Sequence, residues 1–383
     1  MSRLRVGVVG LGAIAQIQHL PNLEQLRDLY EVAHVCDLSP RLVETIGERN
    51  GVAARTTDWR ELCADVSLDA VILLNSGSHG PQARAALESG LHVFAEKPLC
   101  FTVREADELE ALAQSSDCVL QVGYVKSHEA VMARARAEVE RLGDLRFVRH
   151  AVFHPSEVQQ QEHVNVLRFD DADPEALRKA AEENAALVRE AIGDVAPGLQ
   201  WLYGELGLGS IVHYLAVFRS LFGRLPESII AAYAWPFDPE SPPVGWGPDD
   251  QLPTLSVFAS FGAECRLDLT WAWLQRYPEY REQIEVFSPE GGVRLQLPPP
   301  YLHHRTAALT VERLGADGEH ESVGASGGFD AAFLRELRDF HAAVTGASPV
   351  VSTAADARDD VRFCQELVAR VAESTASDVK RVP

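Results

Sequence analysis

Short apolar runs alternate with amphipathic stretches through the first third of the chain. Val6, Val8 and Val9 read as a buried strand. Residues 31–37, 71–74, 91–95 and 119–123 carry the same signature. Between them lie helical patterns over residues 40–50 (closed by Gly51), 59–63, 81–89 (stopped by Gly90) and from Thr102 to about Ala113. Thr102 and Glu105 form a capping box at the start of the last. Strand and helix in alternation predict an α/β, doubly wound parallel sheet with helices on both faces.

Past Tyr124 the rhythm changes. A helix over 127–142, capped by Gly143, leads to a strand over 145–154. Asp173-Pro174 opens a charged helix to about Ile192, read as a solvated face. A mostly apolar helix over 207–222 carries His213. Strands over 228–234, 254–261, 264–273, 283–287 and 293–297 follow with no helix between them. Gly262-Ala263 and Pro289-Glu290-Gly291-Gly292 mark hairpin tips, 241–253 a loop, and 329–344 and 353–374 two closing helices. The expectation is two consecutive domains, 1–124 and 125–383. The second is an α+β domain on a largely antiparallel, open-faced sheet, with 155–205 as an insertion.

The first strand runs into Gly10-Leu11-Gly12-Ala13-Ile14-Ala15, a G-x-G-x-x-A turn. Gly10 permits the tight turn, Gly12 lets backbone approach a pyrophosphate, and Ala15 lets the helix pack on the strand. The helix beneath offers free N–H groups to phosphate. Asp37 ends the second strand 22 positions after Ala15, where the fingerprint expects an acid that accepts from the ribose hydroxyls. Read alone, Asp37 would only start a turn before Ser39-Pro40. Together the features predict an NAD site lined by Gly10, Gly12, Ala13, Ile14 and Asp37. Arg41, close by, leaves NADP open. Ligands lie beyond the carboxyl ends of strands in such sheets, so Asn75, Ser76, His79 and Glu96 should also face the cofactor.

The 383 residues, 46% of them apolar, suffice for two substantial cores. A net charge of −21 without a basic stripe argues against nucleic acid and anionic membrane partners. No apolar run approaches the ~20 residues of a membrane span. Arg3 and Arg5 before an apolar run imitate a leader peptide, but the glycine spacing and Asp37 argue against cleavage. Six scattered cysteines without C-x-x-C suit reduced thiols and a cytoplasmic location. His150 and His154 share a strand face, and Trp271 and Trp273 another. The histidine pair reads as pocket lining or ordinary packing, the tryptophan pair as packing on a half-buried strand, and no metal site is expected.

Glu96-Lys97-Pro98, after this fingerprint, resembles the glucose–fructose oxidoreductase/inositol dehydrogenase/MocA family. V-G-V-V-G-L-G-A-I-A, A-A-L-E-S-G-L-H-V-F-A-E-K-P-L, E-A-D-E-L, G-E-L-G-L-G-S-I-V-H-Y-L and F-L-R-E-L-R-D-F-H-A-A-V-T-G carry the resemblance. It is strongest over 4–126 and weakest over 155–205. It implies a Rossmann domain, an open-sheet domain often used to form homodimers or homotetramers, and NAD(P)-dependent oxidation of sugars, cyclitols or related polyols. Lys97 maps onto the motif lysine, where an ammonium steadies charge on the substrate oxygen. His213 maps onto the family's general acid or base. Tyr124 and Lys126 fall to the substrate side. Without the family, Lys97 reads as a strand-end lysine and His213 as a core histidine.

The chain departs from the family's pattern around His213. Gly209 and Ala216 stand where aspartates are common, and Val125 where asparagine is frequent. Two alternatives to a dehydrogenase therefore remain: a redox-neutral epimerase or lyase that retains NAD, and a cofactor-binding sensor without catalysis.

Overall fold

The computed structural model describes residues 3–243 and 245–379. Val244, inside the expected loop 241–253, lies outside them. The chain forms two compact units. One comprises Met1–Tyr124, Val164–Asp194 and Phe333–Arg362; the other comprises Val125–His163, Val195–Ala332 and Phe363–Pro383.

The first unit is built on a six-stranded parallel sheet in the order β3-β2-β1-β4-β5-β6. Its strands are β1 (Leu4–Val9), β2 (Tyr30–Cys36), β3 (Ala54–Thr56), β4 (Ala70–Leu73), β5 (His92–Glu96) and β6 (Leu120–Gly123). Val6, Val8 and all four residues of β4 are fully buried, because a parallel sheet is covered on both faces and selects continuous apolar runs. β3 was not expected. Its three residues, Ala54-Arg55-Thr56, hold no apolar run for periodicity to detect. The capping box forms as read: Thr102 Oγ1 accepts from the Glu105 N–H, and Glu105 accepts from the Thr102 N–H.

Two later segments fold with this unit rather than with a second consecutive domain, and apolar burial is the reason. The helix Ala332–Val344 buries Leu334, Leu337 and Phe340 in the core that holds Val6, Val8, Ile72 and Phe94. The Tyr30 hydroxyl donates to the Leu337 carbonyl, 2.5 Å away. Leu167 and Phe169, from the expected insertion, pack half-buried against the same core. The helix Pro174–Ile192 follows, with the Asp173 side chain accepting from the Glu175 N–H. It is mostly exposed, as read, but one edge meets the sheet's loops. Asn184 Oδ1 accepts from the Ser78 N–H at 3.1 Å, and Glu190 takes two hydrogen bonds from Arg104.

The second unit holds an eight-stranded sheet in the order β14-β13-β12-β11-β7-β10-β9-β8. The strands are β7 (Phe147–His154), β8 (Ser228–Trp235), β9 (Thr254–Ser260), β10 (Arg266–Trp273), β11 (Arg281–Ser288), β12 (Gly291–Leu297), β13 (Ala308–Leu314) and β14 (His320–Ser326). Only β7 and β10 pair in parallel, so the sheet is largely antiparallel. β13 and β14 escaped the sequence reading, since β14 is a polar edge strand, H-E-S-V-G-A-S, with little apolar alternation. The expected helix over 207–222 is longer and of two windings. A π-helical stretch, Leu202–Ile211, continues into the α-helix Val212–Phe222. The helix expected from 127 begins at Met132, after a 3₁₀ turn over Val125–His128.

Candidate active site

In the first unit the glycine turn adopts the shape its sequence demands. Gly10 has φ +90°, and a Cβ there would lie 2.5 Å from the Asn75 amide nitrogen, so only glycine fits. Around Gly12 nothing lies within 4 Å of where a Cβ would stand. That exposed cradle is the place the fingerprint reserves for a pyrophosphate. Ala15 is fully buried and Ile14 packs half-buried on the same core, while Ala13 sits half-buried at the helix start. Asp37 ties the turn together, accepting from the Leu11 N–H at 2.8 Å and the Ser39 N–H at 2.9 Å.

The loop after β4 supplies more polar atoms. Asn75 Oδ1 is buried with no hydrogen-bond partner, and Ser76 is exposed beside it. His79 is buried, and that burial holds its pKa below the ordinary histidine value, so the ring is neutral. Its Nδ1–H donates to the Pro98 carbonyl at 2.7 Å, which leaves Nε2 buried as an unpartnered acceptor. Orphaned acceptors on one loop, next to an open glycine cradle, fit a dinucleotide's hydroxyls and carboxamide.

Glu96 closes β5. Burial opposes its ionisation, but His19, with Nε2 2.8 Å from Glu96 Oε1, outweighs burial and holds the carboxyl below the usual range. Its other oxygen accepts from the Lys97 N–H at 3.2 Å. Glu96 is thus a fixed anion beneath the motif rather than an exposed ligand-facing group. Lys97 itself is half-buried, and the Lys97-Pro98 peptide is cis. Glu336 is fully buried. Burial, then the Glu96 charge, pushes its carboxyl far above the ordinary value, so it is held protonated. The Tyr124 hydroxyl donates to the buried Asp360 carboxylate.

In the second unit, His213 sits half-buried on the helix Val212–Phe222. Next to it in sequence, Tyr214 faces a buried polar cluster. Lys126 Nζ lies 4.4 Å from the Tyr214 ring centroid, and the His150 ring is 4.9 Å from it. The Lys126 ammonium donates to Glu282 Oε2, as does the Tyr280 hydroxyl, and His150 Nε2 lies 3.1 Å from Glu282 Oε1. Burial works against the Glu282 charge, yet Lys126 and the His150 hydrogen bond bring its pKa down to about 2. Burial lowers the pKa of His150, so the neutral ring donates from Nε2. Lys126, assigned to substrate on sequence, is therefore committed to Glu282.

Glu282, Tyr280 and Tyr214 were missed. Glu282 occupies the buried phase of β11 with Ile284 and Val286, so an acid in an inward position was the available signal. His150 and His154 on β7 do share a buried side. His154 stacks on Trp273 with ring centroids 5.7 Å apart. Among the described residues no group of three or more histidine, cysteine or acidic side chains is placed to hold a metal, and no helix is long and apolar enough to cross a membrane.

A parallel sheet in the order 3-2-1-4-5-6, an open glycine cradle and an acid at the end of β2 define a dinucleotide-binding Rossmann domain. Residues 4–124, about a third of the chain, match the family described as "Oxidoreductase family, NAD-binding Rossmann fold". It is similar to the myo-inositol 2-dehydrogenase of Thermotoga maritima, 29% identical over 138 residues, 36% of this chain and 41% of that protein. The chain thus spans about two fifths of the length of the curated relatives it matches. Two solved structures share the fold at low identity. A probable dehydrogenase from Thermotoga maritima has a TM-score of 0.67 and 18% identity, covering 97% of this chain and 98% of that one. An oxidoreductase from Pseudomonas syringae has a TM-score of 0.70 and 19% identity, covering 97% and 98%.

Proposed function

We propose that the protein is an NAD(P)-dependent oxidoreductase that moves a hydride between the nicotinamide and a hydroxyl-bearing carbon of a sugar, cyclitol or similar polyol. The observation that carries this reading is the open approach at Gly12, where nothing lies within 4 Å of a Cβ, in a turn whose Leu11 N–H is held by the Asp37 carboxylate. Gly10, Gly12, Ala13 and Ile14 hold the pyrophosphate, and Asp37 accepts from the ribose. When bound, the nicotinamide supplies the hydride acceptor or donor. Lys97 hydrogen-bonds the substrate oxygen and steadies negative charge on it. His213 takes or returns the hydroxyl proton, which suits an imidazole at neutral pH. The relatives named inositol dehydrogenases support a cyclitol as the first substrate class to try.

The protein acts in the cytoplasm as a homo-oligomer. Tyr233, Trp235 and Phe258 stand exposed on one face of the β8–β9 pair, and an apolar face of this kind is a docking surface for a second copy.

The test is NAD⁺ reduction with myo-inositol and other polyols, followed at the nicotinamide absorbance. Lys97→Ala should abolish turnover while NADH affinity stays within a few-fold of wild type. Turnover that survives in this variant removes Lys97 from the chemistry.

A further inference from the structure

Arg41 is what leaves NADP open on sequence, because a guanidinium just past the ribose-binding acid is suited to a 2′-phosphate. The structure commits that region elsewhere. Residues 164–171 run across the turn that follows β1 and the end of β2. The Gln16 amide holds both backbone groups of Leu167: Nε2 donates to the carbonyl at 3.0 Å, and the Leu167 N–H donates to Oε1 at 2.9 Å. Two residues on, the Phe169 ring lies against the Arg41 guanidinium, 4.1 Å from ring centroid to carbon. Two residues further, the Asp171 carboxylate accepts from the Ser39 hydroxyl and, at 3.0 Å, from the Arg41 N–H.

Ser39 stands next to the ribose-binding acid, its own N–H bonded to Asp37. A phosphate on a ribose 2′-oxygen held by Asp37 would need the same donors: the Ser39 hydroxyl, the Arg41 N–H at the start of the helix Pro40–Arg49, and the Arg41 side chain. An anion is already there. We propose that Asp171 sets dinucleotide specificity: a carboxylate delivered by the segment after β7 takes the place of the 2′-phosphate and confines the site to the unphosphorylated dinucleotide. The inference rests on the turn from Gly10 to Asp37 binding a dinucleotide, as proposed above. Two features reinforce it. The hydrogen bond from Ser39 keeps the Asp171 carboxyl below its ordinary pKa, so it is ionised at neutral pH. Asp171 and Asp37 then present two negative charges to any phosphate, and like charges at such range repel.

The experiment is equilibrium titration of the purified full chain with NADH and with NADPH, followed by nicotinamide fluorescence, in wild type, Asp171→Ala and Asp171→Asn. Wild type should prefer NADH by at least about tenfold in Kd. Asp171→Ala should tighten NADPH by at least about tenfold while NADH moves no more than a few-fold, with Asp171→Asn between them. Raising salt should narrow the wild-type preference, because the repulsion is screened. Wild type binding both equally overturns the inference and leaves the cofactor site standing. So does an unchanged NADH-to-NADPH ratio in Asp171→Ala. Failure of wild type to bind either dinucleotide overturns the cofactor reading and this inference with it.

Discussion

Glu282→Gln should destabilise the second unit by about 3 kcal/mol at neutral pH. The magnitude follows from the site. The Glu282 pKa is about 2 in the folded protein against an ordinary 4.5, and each unit of difference corresponds to about 1.4 kcal/mol. Glutamine keeps the shape and an acceptor but leaves the Lys126 ammonium buried without its counter-charge, a situation that costs about 3–5 kcal/mol where buried pairs have been broken. Because folding lowers this pKa, the stabilisation is complete above pH 4.5. It shrinks as pH falls toward 2 and is absent below that. Urea unfolding followed by tryptophan fluorescence reads this unit, since Trp201, Trp235, Trp246, Trp271 and Trp273 belong to it and only Trp59 to the other. The gap between wild type and Glu282→Gln should close on acidification from 4.5 toward 2. Adding Lys126→Met to Glu282→Gln should recover more than half of the loss, because the stranded charge is gone. A loss under about 0.5 kcal/mol at pH 7, or no recovery in the double variant, refutes the reasoning.

Gly12→Asp should leave the melting temperature nearly unchanged, because its Cβ meets open space, while abolishing NADH binding through a carboxylate set in the pyrophosphate cradle. Thermal unfolding and fluorescence titration of one sample separate the two effects. Phe258→Glu, on the exposed face of the second sheet, should lower the oligomeric mass measured by light scattering and leave NADH affinity within a few-fold.

The first unit was legible because its signals are local. A buried parallel strand is a short apolar run, and a glycine turn with an acid after the next strand has fixed spacing. Neither needs knowledge of distant contacts. What sequence did not reveal depends on long-range packing. Nothing local tells that Leu167, Phe169 and Asp171 return to the first unit, because a half-buried leucine and phenylalanine among acidic residues look the same on a solvated insertion. Nor does Arg41 announce that it will pair with an aromatic ring rather than a phosphate. The same limit applies to the polar cluster under Tyr214. Lys126, His150 and Glu282 come from separate elements, and only the pairing of β7 with β11 brings the last two together. The local clue was Glu282 in phase with Ile284 and Val286, an acid where alternation calls for an apolar side chain.

The central claim is that the turn from Gly10 to Asp37 binds a nicotinamide dinucleotide. Calorimetric titration of NADH into the purified chain, alongside Gly12→Asp, tests it most directly. The account predicts saturable binding at one site per chain in wild type and none in the variant. A folded wild-type protein that binds neither NADH nor NADPH, or a Gly12→Asp variant that binds as wild type does, contradicts it.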